Sequence, residues 1–128
     1  MASDPKSIIQ YLNSINESEM AKLLSKFGLK GTEKQVELFK RFSEKAKEVN
    51  GEICTEFYDN TSGKLNLFTE DTHTYQIYAR RRLNDFIYTN VFKEVVADNP
   101  NTKRKRKYIC LSDDAIREIT SNNENTNN

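Results

Sequence analysis

The chain has 128 residues, which suits one domain of ordinary size. Hydrophobic residues make up 36% and charged residues 30%, and no apolar run approaches the roughly 20 residues that cross a bilayer. Two cysteines, one histidine and four glycines argue against a disulfide scaffold, a multi-histidine metal site, a Ser-His-Asp triad and a glycine-rich phosphate loop. We therefore expect a cytoplasmic, non-enzymatic protein with no catalytic residue, metal, cofactor, signal peptide or membrane anchor.

Positive charge is concentrated in one part of the chain. The net charge is only +1, but residues 73–111 carry nine basic residues against three acidic ones. Eight of the 20 basic residues fall in two runs, 80–82 and 103–107. Local potential attracts a polyanion more than total charge does, so this part of the chain predicts a basic surface. A solvated charge run or a localisation signal is the alternative for residues 103–107.

Residues 1–31 predict two amphipathic helices. Asp4-Pro5 is typical of a helix start, and an apolar stripe follows from Ile8. Asn16 begins a second stripe, which ends at Gly28. These stripes either complete the core or form a surface for a homodimer or another protein partner.

A long helix and a strand are predicted next. Thr32 and Gln35 have the spacing of a capping box, and an apolar stripe continues to Val49, just before Asn50-Gly51. Residues 52–58 alternate like a strand. Leu65 to Phe68 fits either a second short strand or the start of a helix.

The remainder predicts a helix, a strand, a basic loop, a strand and a short final helix. Thr69 or Thr72 caps the first of these helices, whose core face includes Tyr75 and Tyr78. The strands cover residues 91–96 and 107–111, and Ser112 caps the last helix. Residues 121–128 are polar and predict a disordered tail.

Both cysteines, Cys54 and Cys110, lie in predicted strands and lack CxxC spacing. We expect buried free thiols in a reducing cytosol. If the two strands pair, a redox switch is the alternative.

The order of elements in residues 32–119 resembles the winged-helix superfamily of DNA-binding proteins. TYQIYARRRLNDFIYTNVFKEVV looks like a recognition helix that runs into the first wing strand, and KRKRKYICLSDDAIREI like the second wing strand and a C-terminal helix. The family's distinct second helix has no clear counterpart between Tyr58 and Thr72. The resemblance implies an α+β fold, a mainly helical winged helix-turn-helix with a small antiparallel β-sheet, a wing and extra N-terminal helices. The expected division is a helical extension at 1–31, a winged-helix domain at 32–120 and a disordered tail at 121–128.

The resemblance also implies a function. A recognition helix over residues 72–88 would enter the major groove of double-stranded DNA, and the basic wing would hold the phosphate backbone or enter the minor groove. Because consecutive helical residues point about 100° apart, Arg80 and Arg81 are expected to face the DNA and Arg82 the apolar stripe. The candidate DNA-binding residues are Thr72, Thr74, Gln76, Arg80, Arg81, Lys103, Arg104, Lys105, Arg106 and Lys107.

The expected roles are transcriptional regulation, or organisation or plasmid partition of DNA by a nucleoid-associated homodimer. One alternative is a protein interaction module or inhibitor that uses the basic surface on an acidic partner. Another is a single-strand nucleic-acid binder that stacks bases on Tyr75 and Tyr78.

Overall fold

The computed structural model describes the backbone of residues 4–99 and 101–126 and the side chains of residues 4–99 and 101–123. Over these residues the fold is α+β, with five helices and one four-stranded antiparallel sheet of order β1-β2-β4-β3. The helices are α1 (Pro5–Ser14), α2 (Glu17–Ser25), α3 (Glu33–Lys45), α4 (His73–Tyr88) and α5 (Asp113–Thr126). The strands are β1 (Lys47–Val49), β2 (Glu52–Glu56), β3 (Phe92–Asp98) and β4 (Lys105–Leu111). None of the helices described is long and apolar enough to cross a membrane.

The helices begin where the capping residues predict. Asp4 and Asn16 accept hydrogen bonds from backbone N–H groups in the first turns of α1 and α2. Thr32 Oγ1 accepts from the Gln35 N–H at 3.2 Å, and Gln35 Oε1 accepts from the Thr32 N–H at 3.2 Å. This reciprocal pair confirms the predicted capping box, and Thr72 caps α4 in the same position.

The predicted extension of the long helix to Val49 is wrong. Helix α3 ends at Lys45, and Val49 is buried in the short strand β1, where it pairs with Glu52 of β2. Asn50 and Gly51 connect the strands with φ values of +52° and +82°, the left-handed geometry that a two-residue hairpin turn requires. Sheet pairing and a favourable Asn-Gly turn therefore outweigh the helical periodicity before the turn.

The N-terminal helices belong to the main hydrophobic core. Ile8 and Leu12 of α1 and Leu24 of α2 are buried in the same cluster as Phe39 of α3 and Phe92 of β3. The apolar stripes predicted in residues 1–31 thus complete the core, one of the two roles expected for them. Ile9, Ile15 and Phe27 of the same stripes pack against this cluster and are only partly buried.

Between β2 and α4 the chain forms a short 3-10 turn over Asn66–Phe68. Leu65 forms an isolated antiparallel bridge with Tyr58, so this segment combines one strand-like pair with a single helical turn. Leu67 and Phe68 are buried.

The predicted disordered tail at 121–128 is wrong for residues 121–126, where α5 continues to Thr126. Ala115 and Ile119 are buried and anchor the helix. Once a helix is anchored, each further residue adds a backbone hydrogen bond at little cost, so the polar residues extend it. Residues 127 and 128 lie outside the described residues.

Cys54 and Cys110 form a disulfide, contrary to the expected free thiols. They face each other in the register of β2 and β4, with Cα atoms 4.0 Å apart. The Phe57 N–H donates to the Lys107 carbonyl, so the alternation of the ladder makes 54–110 a non-hydrogen-bonded pair, the type that brings side chains closest. Disulfides are typical of oxidising compartments, and the cysteines therefore no longer support a reducing cytosol.

Candidate nucleic-acid interface

The turn that joins β3 to β4 is held by its own hydrogen bonds. Asn99 Oδ1 accepts from the Asn101 N–H at 2.8 Å. The Asn99 N–H donates to the Arg104 carbonyl, and the Lys103 N–H donates to the Asn99 carbonyl, both at 2.8 Å. Lys103 has a φ of +61°, which turns the chain back into β4. We call β3, β4 and the described residues between them, 99 and 101–104, the basic hairpin.

Three cations lie at the tip of the basic hairpin. The side chains of Lys103, Arg104 and Lys105 are exposed, and none of them forms an ion pair within the residues that the structure describes. We call these three residues the tip cations. Like charges so close together repel one another, so an anionic partner would be attracted to this tip.

The other two cations of the basic run have partners inside the protein. Arg106 is half-buried, and its Nη1 donates to Asn60 Oδ1 at 2.7 Å. Lys107 is also half-buried, with its Nζ 3.5 Å from Glu94 Oε2 and 4.3 Å from the centre of the Phe57 ring. These contacts, and not the position in β4, distinguish Arg106 and Lys107 from Lys105, which begins the same strand and is exposed.

Arg80 is held against the sheet. Its Nη1 donates to the Tyr58 hydroxyl at 2.7 Å, and its Nε donates to Asn84 Oδ1 at 3.3 Å. Its guanidinium carbon lies 4.7 Å from the centre of the Phe57 ring. Because Lys107 of β4 contacts the same ring, Phe57 joins α4 to the basic hairpin. Arg80 therefore positions the helix, a role that depends on Tyr58 and Phe57 and that helical spacing alone does not indicate.

Arg81 and Arg82 differ as the helical spacing predicts. Arg81 is exposed, forms no ion pair within the described part of the chain, and lies 5.9 Å from the centre of the Tyr78 ring. Arg82 is half-buried, and its Nη1 is buried without a hydrogen-bond partner. Arg81 is thus the one arginine of this run that is both exposed and free of ion pairs.

Gln76 is used inside the protein. Its Oε1 accepts from the Leu65 N–H at 3.0 Å, and its Nε2 donates to the Phe68 carbonyl. Both ends of the amide therefore fasten the 3-10 turn to α4. A side chain with both of its polar ends occupied is poorly available to a base edge.

The exposed face of α4 is a stripe of mixed chemistry. Thr74, Tyr78, Arg81, Asp85 and Tyr88 follow one another at spacings of three or four residues, and all are exposed. Tyr78 is 54% exposed and Tyr88 83% exposed. We call these five residues the α4 stripe. One cation and one carboxylate leave it without net charge, so the positive potential comes mainly from the basic hairpin.

The exposure of Tyr78 contradicts its predicted place on the core face. Ala79, Leu83 and Phe86 form the buried face of α4, which turns Tyr78 about 100° away from the core. Tyr75, three residues earlier, is half-buried and packs against the core. An aromatic residue at the edge of a helical stripe fits either side, so periodicity alone misplaced it.

Lys93 of β3 is also unavailable as a DNA contact. Its Nζ lies 2.8 Å from Glu52 Oε1 and 3.7 Å from Asp113 Oδ1. The hydrogen bond from Lys93 to the Glu52 carboxylate raises the pKa of the Lys93 ammonium above its ordinary value.

Comparisons with protein-family models, curated proteins and solved structures found no match. The described residues contain no cluster of three or more His, Cys, Asp or Glu side chains suited to a metal ion.

Four of the cations predicted as DNA contacts are exposed and have no ion pair within the described residues. They are Arg81, Lys103, Arg104 and Lys105.

Proposed function

We propose that this protein binds double-stranded DNA. The observation that carries the proposal is the group of tip cations, which are unpaired within the described residues and lie on a hydrogen-bonded turn or, for Lys105, directly after it. Each cation that neutralises a phosphate contributes affinity that depends on salt and not on base sequence. Arg81 and Thr74 on the α4 stripe would make the contacts nearest to the bases.

The architecture supports the proposal that the fold is a winged helix. Helix α3 precedes β2, α4 lies between β2 and β3, and β4 pairs between β2 and β3. This strand order is compatible with a winged helix whose wing is the basic hairpin. The 3-10 turn at Asn66–Phe68 would then replace the family's second helix.

A phosphate-binding hairpin beside an exposed helix face suits a transcriptional regulator or a DNA-organising or partition adaptor. We propose a homodimer for either role. Two copies would present two sets of tip cations to one duplex, and the two-fold symmetry of the dimer would match a palindromic DNA site.

A second candidate function is supported by the apolar residues on the surface of α4. Ile77 is 49% exposed, and Tyr78 and Tyr88 of the α4 stripe are exposed on the same helix. Aromatic and aliphatic side chains of this size are typical of protein interfaces. An acidic partner protein that contacts both this face and the tip cations is therefore the alternative to DNA.

Fluorescence anisotropy with a random duplex of about 30 base pairs, titrated from about 50 to about 200 mM salt, tests the proposal. The variant replaces the three tip cations, with the substitutions Lys103→Gln, Arg104→Gln and Lys105→Gln. We expect it to lower the slope of log affinity against log salt by about 3, because each phosphate contact contributes about 0.9.

The matched control removes the same charge from exposed lysines near the N-terminus, through Lys6→Gln, Lys22→Gln and Lys30→Gln. We expect it to leave the salt slope nearly unchanged. Equal slopes for the two triple variants, or no binding by the wild type at low salt, would contradict the proposal. Tighter binding to the single strand than to the duplex would favour the single-strand alternative.

A further inference from the structure

A cleft of about 410 Å³ lies between the first turn of α3 and the exposed side of α4. Lys34, Arg81 and Arg82 are its cationic residues, and Glu33 and Asp85 are its acidic ones. The charged lining residues therefore leave one net positive charge. The volume falls in the range of sites that take small molecules rather than single atoms.

The Nη1 atom of Arg82 is buried and has no hydrogen-bond partner within the described residues. Arginine stays ionised in proteins, so this atom is always a donor. A buried charged donor without an acceptor is destabilising, and an incoming acceptor removes that cost. Asp85 lines the same cleft but lies more than 4 Å from any nitrogen of Arg81 or Arg82 that could form an ion pair.

The other two cations are oriented by aromatic rings. Arg81 lies beside the Tyr78 ring, as described above. Lys34 Nζ lies 3.2 Å from the Tyr75 hydroxyl and 5.0 Å from the centre of that ring. Neither cation is paired with a carboxylate in the part of the chain that the structure describes. Within the described residues, the cleft thus brings together three cationic side chains, none of which has a carboxylate within ion-pair distance.

We propose that this cleft binds a phosphate group, with the guanidinium groups of Arg81 and Arg82 as donors and Lys34 as a supporting cation. Arginine matches the geometry of phosphate oxygens, and the three acceptor oxygens of a phosphate suit several donors at once. The phosphate belongs either to the backbone of a bound duplex or to a free phosphate compound. The duplex source rests on the proposed function, and it would add a contact at α4 to those at the basic hairpin.

The experiment compares Arg82→Gln with the wild type in two assays. The first measures the salt slope of duplex binding, and the second follows backbone amide NMR shifts during a titration with inorganic phosphate. If the phosphate belongs to the duplex, we expect the salt slope of Arg82→Gln to be smaller in magnitude than that of the wild type by about 0.9. Over a fourfold rise in salt, the wild type would then lose about 3.5-fold more affinity than the variant. Arg117→Gln, on the exposed side of α5, is the matched control and should behave like the wild type.

The outcomes separate the two proposals. If the wild type binds the duplex but the slope of Arg82→Gln is unchanged and phosphate causes no shifts near α3 and α4, the cleft proposal is overturned and DNA binding stands. If the duplex does not bind but phosphate shifts these amides only in the wild type, the proposed function falls and the cleft proposal stands with a free phosphate source. Absence of both signals overturns both proposals. Arg81→Gln repeats the test at an exposed residue, in case loss of Arg82 unfolds the protein.

Discussion

Loss of the Cys54–Cys110 disulfide should lower the free energy of unfolding by about 4 kcal/mol. The two residues are 56 positions apart in the chain, and the entropy of closing a loop of that length in the unfolded state corresponds to about 4 kcal/mol. A domain of ordinary size has a total stability of about 5–15 kcal/mol, so the disulfide would supply a large part of it.

Urea unfolding of the oxidised and the reduced protein measures this difference. With a denaturant dependence of about 2 kcal/mol per molar urea, the midpoint should fall by about 2 M on reduction. The denaturant dependence itself should rise, because the unfolded chain becomes less compact without the cross-link. A thiol assay of the oxidised protein in denaturant should detect no free thiol.

The single variant Cys54→Ala separates the cross-link from the reducing agent. Under oxidising conditions it should unfold close to the reduced wild type, with a further loss for the sulfur atom removed from a buried site. Identical urea midpoints for oxidised wild type, reduced wild type and Cys54→Ala would refute the reasoning, because the pairing of β2 with β4 would then need no covalent support.

Two further changes test the packing and the charge of the fold. Gly31→Ala should destabilise the protein by about 2–4 kcal/mol in urea unfolding, because its φ is +73° and the new Cβ would lie 3.0 Å from the Ala21 carbonyl oxygen. Gly28→Ala, with φ +89° and open space, should cost only about 1–2 kcal/mol, and equal losses would contradict the packing argument. Lys93→Gln tests the ion pair with Glu52, and the wild type should be more stable than this variant at neutral pH. The difference should disappear as the pH rises from the ordinary lysine pKa through the raised pKa of Lys93, because the ammonium then loses its proton. A difference in unfolding midpoint that does not change with pH would argue against the Glu52 pair.

Several features were predictable because their physical causes are local. The caps at Asp4, Asn16 and Thr32 act within one helical turn, so the starts of three helices were readable from neighbouring residues. The two strands of the basic hairpin also lay close to their predicted positions. The end of α3 was not predictable from its periodicity, because Val49 gains more from pairing with β2 than from one more helical turn.

The candidate interface shows the same division. The sequence by itself determined that positive charge gathers in residues 80–82 and 103–107 and that a helix and a hairpin carry it. Only the tertiary structure decided which of these cations are free, because their partners are distant in the chain. Arg106 donates a hydrogen bond to Asn60, which is 46 positions away in the sequence, and Arg80 donates one to Tyr58, which is 22 positions away. Contacts with distant residues therefore leave the tip cations and Arg81 as the exposed cations of these two runs that have no ion pair within the described residues, and no local pattern predicts that selection.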